Sequence, residues 1–209
     1  MLKLTLSAFL TFLLTTVVAQ PKVKLLTSAD IPSSIKYSGT IIYAVQFSDS
    51  VGNNIVLATE TGETKSATTS EDSDAKDARL YVWHYLVSGD TAKLLWKLTD
   101  YEKECPFDIY ASFLKKSFAI TDINNDGKSE VWLMYKLGCR SDVSPVTLKL
   151  FMYENGVKAA MRGTTKTQVG EHQFMGGNYS LDENFKKAAL PLRAYAETLW
   201  KKNVLENWE

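Results

Sequence analysis

Histidine and cysteine are scarce in this chain of 209 residues, with two of each. Neither a Gly-x-Ser-x-Gly elbow, a His-Glu-x-x-His pair nor a phosphate-cradling glycine loop occurs, so the usual signatures of nucleophilic and metal-assisted hydrolysis are missing. His84 falls on an aliphatic strand face, where a hydrogen-bonded core histidine is the simpler reading than a base. His172 follows Glu171 directly, and adjacent strand residues face opposite ways. Gly176-Gly177 reads as a turn rather than an anion nest. Net charge is also lacking, with 24 basic against 24 acidic residues, which excludes the basic field that nucleic acid or an anionic membrane would require. After residue 20 no apolar run is long enough to cross a bilayer.

What is there begins with a leader. Lys3 gives a short positive start, Leu4 to Val18 is mostly apolar, and Val17 and Ala19 are small residues placed for a cut ahead of Gln20. Residues 1–19 therefore read as a secretory signal peptide, and 20–209 as one exported domain, periplasmic or released. The alternative, a membrane anchor, is disfavoured by the shortness of the run and the absence of a basic stop after it. Cys105 and Cys139 are then an even pair in an oxidising compartment, and the expectation is one disulfide. Its closed loop of about 34 residues would contribute on the order of 3–4 kcal/mol by restricting the unfolded chain.

The body predicts an α+β, β-rich domain of antiparallel hairpins with a C-terminal helix packed on one face. Residues 40–47 and 54–61 form a hairpin with a loose loop, and residues 79–87 and 93–99 form another around Ser88-Gly89-Asp90. Between them, residues 61–78 hold almost nothing apolar and read as a flexible surface loop. Its acids Glu71, Asp72, Asp74 and Asp77 could form a second ion site, but a solvated polar loop is the simpler reading. Residues 106–116 could be a helical turn or a bent strand. Residues 146–153 and 157–162 flank Asn155-Gly156, a dipeptide suited to the positive φ values of a tight hairpin turn. Residues 167–174 read as one extended piece. Ser180-Leu-Asp-Glu183 reads as a capping box opening a helical segment over 182–203, broken or restarted at Pro191. Leu192, Tyr195, Ala196 and Leu199 recur at helical spacing and should lie on the sheet.

The most informative segment is Asp122-Ile-Asn-Asn-Asp-Gly-Lys-Ser-Glu130. Asp122, Asn124, Asp126 and Glu130 set side-chain oxygens at loop positions one, three, five and nine, with Gly127 at six and the Lys128 carbonyl at seven. A hard cation needs several oxygens on a tight loop, and calcium tolerates this irregular geometry better than magnesium does. The expectation is one structural calcium ion held by Asp122, Asn124, Asp126, Lys128 and Glu130. The alternative is an Asx-rich turn with no metal, in which Asp and Asn side chains bond their own backbone. Position twelve is Leu133, so this is not an EF-hand.

With its acid at position nine and Ile123 at the second position, the loop resembles a single repeat of the FG-GAP and VCBS type, set between two strands. Glu130 stands where those loops usually carry Asp, and one copy cannot build a propeller. Over roughly residues 79–200, the segments Asp126–Tyr135, Cys139–Pro145, Thr147–Gly156 and Ala160–Gly163 resemble a family of small exported bacterial proteins loosely associated with surface polysaccharide biosynthesis. That resemblance implies an envelope-associated accessory role and transfers no catalytic residue.

Two further functions stand beside the accessory one. Tyr81, Trp83 and Tyr85 share a strand face and could form a flat platform for sugar rings, with Trp96 joining across the hairpin. The simpler reading buries them as core, covered by the C-terminal helix. A hydrolase with an unrecognised site is the second. The partner implied by the first two is a cell-surface polysaccharide or an envelope protein.

Overall fold

The computed structural model describes residues 20–67 and 74–206. The leader, residues 68–73 with Glu71 and Asp72, and residues 207–209 lie outside the described part.

In chain order the strands are β1 (Lys24–Leu25), β2 (Thr40–Asp49), β3 (Gly52–Glu60), β4 (Thr64–Lys65), β5 (Lys76–Ser88), β6 (Thr91–Cys105), β7 (Asp108–Phe113), β8 (Ala119–Thr121), β9 (Glu130–Arg140), β10 (Thr147–Glu154), β11 (Val157–Thr164), β12 (Lys166–Gly170), β13 (Gln173–Gly176) and β14 (Tyr179–Leu181); α1 (Glu183–Lys187) and α2 (Leu190–Asn203) follow. The domain is β-rich, antiparallel and built of hairpins, with a C-terminal helix on one face.

The first sheet runs β1-β2-β3-β5-β6, with β4 beside β5 beyond the end of β3. The second runs β14-β11-β10-β9-β7, with β8 on the same side of β9 as β7. The sheets face each other across the main core. Val45, Phe47, Val56, Leu80, Val82 and Leu98 come from the first, and Phe113, Val131, Leu133, Tyr135, Phe151 and Ala160 from the second. The alternation along β5 explains this, since Leu80 and Val82 face inward while Trp83 and Tyr85 face out.

Both outer faces are covered. On the second sheet, Trp132, Met134, Leu148, Leu150 and Met152 meet Leu192, Ala196, Leu199 and Trp200 of α2. The helical spacing read from the sequence therefore marks a real packing stripe, and burying Leu192 and Leu199 is worth roughly 2 kcal/mol each. Pro191 sits in the first turn of α2, where its missing N–H is no loss. On the first sheet the cover is the N-terminal segment, through Leu26, Ile31 and Ile35.

Several expected boundaries differ. The first hairpin has a tight turn, since Asp49 pairs with Gly52 and Asp49 Oδ1 accepts from Val51 N at 2.9 Å. Residues 76–78, read as loop, begin β5, and Thr64–Lys65 pairs with its start. Residues 106–116 contain both a strand, β7, and a 3-10 turn over Lys115–Ser117. Residues 167–174 are two strands, β12 and β13, turning at His172 with φ 57°. The cap of α1 is Asp182, whose side chain accepts from Phe185 N at 2.9 Å. Ser180 is instead committed to β14 by pairing with Arg162.

Candidate functional site

The acidic segment closes the β8–β9 hairpin, whose last pair is Thr121 with Glu130. Strand, acidic loop, strand is the context the sequence implied. Asn125 and Gly127 take positive φ, 63° and 79°, which folds the loop back tightly; glycine takes that conformation at little cost, and asparagine tolerates it. The side-chain oxygens then bond the loop's own backbone. Gly127 N donates to Asp122 Oδ2 at 3.1 Å, Asp126 N to Asn124 Oδ1 at 3.2 Å, and Lys128 N to Asp126 Oδ1 at 2.8 Å. These are bonds of the kind the Asx-turn alternative calls for. Asp122 Oδ1 is buried with no hydrogen-bond partner.

Glu130 lies at the loop's base, fully buried. Its Oε2 accepts from Thr121 Oγ1 at 2.5 Å, and both of its oxygens lie 3.0–3.1 Å from Ile123 N. Burial raises its pKa above the ordinary carboxylate value, opposed by those hydrogen bonds. Glu154, at the end of β10, approaches from the neighbouring hairpin, and its Oε1 accepts from Asn124 Nδ2 at 2.6 Å. Its pKa is raised by burial and then by the carboxylates of Asp126 and Asp122. Nothing near Glu154 in the sequence marks it as a neighbour of the loop; packing alone brings it there. Among the described residues, no group of three or more histidine, cysteine, aspartate or glutamate side chains is placed to hold a metal ion.

The tight first hairpin docks on this loop. Ser50 N donates to the Gly127 carbonyl at 2.8 Å, and Ser129 N donates to Asp49 Oδ2 at 3.0 Å. Asp49 Oδ1 meanwhile holds the turn through Val51 N and the Asn54 amide. The acidic loop is thus pinned to the opposite sheet.

Cys105 and Cys139 are joined, with their Cα atoms 5.5 Å apart. Cys105 ends β6 of the first sheet and Cys139 lies in β9 of the second, so the bond staples the two layers. The loop it closes contains the whole acidic segment.

Trp83 and Tyr85 are only 4% and 6% exposed. Tyr37 packs edge-on against Trp83, Tyr85 OH donates to the Lys36 carbonyl at 2.6 Å, and Lys97 Nζ lies 4.9 Å from the Tyr81 ring centre. The cover is the N-terminal segment and not the C-terminal helix, which occupies the other sheet. Trp96 pairs with His84 and therefore points to the opposite side from Trp83, stacking on Tyr153 at 3.8 Å between the sheets. His84 Nε2 lies 2.8 Å from Asn54 Oδ1, and burial lowers the ring's pKa to about 4. His172 is an exposed turn residue.

The chain matches no protein-family model, no curated protein and no solved structure.

Proposed function

We propose that this is an exported, non-catalytic accessory protein of the cell envelope whose acidic loop takes one calcium ion in a structural role. The observation that carries the ion is Asp122 Oδ1, a carboxylate oxygen buried without a partner in a loop that also holds Asp126 and faces Glu154. Asp126 and Asp122 each set their charge against the Glu154 carboxylate, and a divalent cation would relieve that repulsion. The residues suited to hold it are Asp122, Asn124, Asp126 and the Lys128 carbonyl. Glu130 would join them only by exchanging its bonds to Thr121 and Ile123, so its first task is to fix the base of the loop. The bound ion would supply charge neutralisation and a rigid turn.

Export is supported by the leader-like residues 1–19 and by the inter-sheet disulfide, a bond that persists in oxidising compartments. A sugar-binding role for Tyr81, Trp83 and Tyr85 is less well supported, because two of the three rings are buried under residues 31–37.

The test is thermal unfolding of chelator-treated protein. Addition of calcium should raise the melting temperature saturably, magnesium should do so much less, and Asp122→Ala with Asp126→Ala should abolish the response. A wild-type curve that ignores millimolar calcium removes the ion from this reading. Recovery of the mature chain beginning at Gln20 outside the cytoplasm tests the compartment separately.

A further inference from the structure

The long edge strand β6 sorts its charge between its two faces. Even-numbered residues turn toward the second sheet. Trp96 stacks on Tyr153, Leu98 joins the main core, and Asp100 Oδ2 accepts from Tyr135 OH and from Lys149 Nζ, each at 2.6 Å. Glu102 lies on the same side, where burial and then the Asp100 carboxylate raise its pKa. The odd-numbered residues Lys97, Thr99, Tyr101 and Lys103 turn outward, and all four are exposed. Between positions 97 and 103 the acids of the strand therefore point in and its lysines point out.

Strand β5 widens this outward strip. Its Arg79, Tyr81 and Trp83 stand opposite Tyr101, Thr99 and Lys97. The cations rest on rings instead of carboxylates. Lys97 Nζ lies 4.9 Å from the Tyr81 ring centre and 5.3 Å from that of Trp83, and the Tyr101 ring has Lys103 Nζ at 4.8 Å and Arg79 Cζ at 6.0 Å. Among the described residues, Arg79, Lys97 and Lys103 form no salt bridge. The charges of Arg79 and Lys103 reach Asp77, but that side chain is only 8% exposed and its Oδ1 accepts from Glu104 N at 3.0 Å. The cluster that the N-terminal segment forms with Trp83 and Tyr85 does not extend to Tyr101, which is 49% exposed.

We infer that this strip binds an acidic polysaccharide, with uronate carboxylates paired to Arg79, Lys97 and Lys103 and a sugar ring laid against Tyr101. Charge complementarity sets the sign of the ligand, since three cations share one face with no carboxylate partner of their own. The guanidinium of Arg79 can take a carboxylate through two parallel bonds. From Lys97 to Lys103 the strip runs about 20 Å at roughly 3.3 Å per residue, which suits a glycan chain better than one sugar. A peptide gains affinity from main-chain pairing at a sheet edge and from pockets for its side chains, whereas a sheet face offers side chains only. An anionic bilayer requires apolar groups that insert beside the cations, and the outward residues of this strip include no aliphatic one. The inference depends neither on an ion in the acidic loop nor on exposure of Trp83 and Tyr85.

The probes are polygalacturonate fragments, neutral dextran, poly-glutamate, and vesicles of phosphatidylglycerol with phosphatidylcholine. Each is titrated into the full mature protein at low ionic strength with chelator present. Polygalacturonate should bind saturably and weaken as salt rises, and the other three should bind at least about tenfold more weakly. Arg79→Gln with Lys103→Gln should cost about tenfold in affinity for polygalacturonate, and Tyr101→Ala, which keeps the charge, about threefold. Lys201→Gln with Lys202→Gln removes the same charge from α2 on the other sheet and should leave affinity unchanged. The inference is overturned if polygalacturonate does not bind, if dextran, poly-glutamate or the vesicles bind as tightly, or if the α2 variant loses as much affinity as the strip variants. Because chelator is present throughout, these outcomes are separate from the fate of the calcium reading.

Discussion

At the scale of single residues, His84 sets an acid limit on the fold. Its ring is buried beside Phe47 and Trp96, and burial depresses its pKa from 6.5 to about 4, partly offset by the Asp49 carboxylate. The unfolded chain therefore binds a proton on this ring between pH 6.5 and 4 that the folded chain refuses. Stability is fully retained above pH 6.5, falls as the pH drops through this window, and levels off below 4, for a total of about 3 kcal/mol from this group. Urea unfolding at stepped pH should show that slope in the parent and lose it in His84→Gln, which keeps a donor for Asn54. An unchanged slope would mean that the ring is more accessible than its surroundings imply. Histidine on an aliphatic strand face already suggested a core residue; its partner Asn54 did not announce itself, because the two are 30 positions apart and meet only through the β3–β5 pairing.

At the scale of elements, local chemistry was legible where the backbone demanded a particular residue. Asn155 and Gly156 take φ of 48° and 78°, and the hairpin they were expected to make is the one observed. The strand-loop-strand setting of Asp122–Glu130, the stripe on α2 and the restart at Pro191 were readable for similar local reasons. Tertiary pairing overrode local signals elsewhere. Ser180 fits a capping box on paper, but β11 claims residues 179–181 as an edge strand and moves the cap to Asp182. The approach of Glu154 to the acidic loop had no sequence signature, because it joins segments 30 positions apart in the chain. Gly163 carries a prediction at this scale. A Cβ there would run into the Asn178 carbonyl, which is backbone and cannot step aside. Gly163→Ala should detach β14 from β11, with faster amide exchange at position 163 and Tyr179 and a melting temperature lowered by several degrees, as about 1–3 kcal/mol of overpacking implies.

At the scale of the whole molecule, the Cys105–Cys139 bond and the C-terminal tail secure opposite faces of the second sheet. Glu206 reaches back to the second sheet, accepting from Arg140 at 2.8 Å and Lys136 at 3.1 Å, while Val204 and Glu206 bond the backbone of Lys166. Burial alone would raise the Glu206 pKa, but the hydrogen bonds and charges of Arg140 and Lys136 outweigh it and hold it low. The disulfide joins the sheets at the β6 and β9 ends, and replacing both cysteines by serine should lower stability by on the order of 3–4 kcal/mol in equilibrium denaturation. The main core, shared between both sheets, should still assemble, so the variant is expected to unfold in one transition at lower denaturant. Two separate transitions would show that the layers are independent without their covalent link.

The double duty of Asp49 has a mechanical consequence. One carboxylate oxygen steadies the turn of the first hairpin while the other grips the amide of Ser129, 80 positions downstream. Together with the Ser50–Gly127 backbone bond, this couples the turn to the acidic loop, and neither can swing without tugging the other. A disturbance that begins among the loop's carboxylates is therefore carried across to the opposite sheet at the hairpin turn.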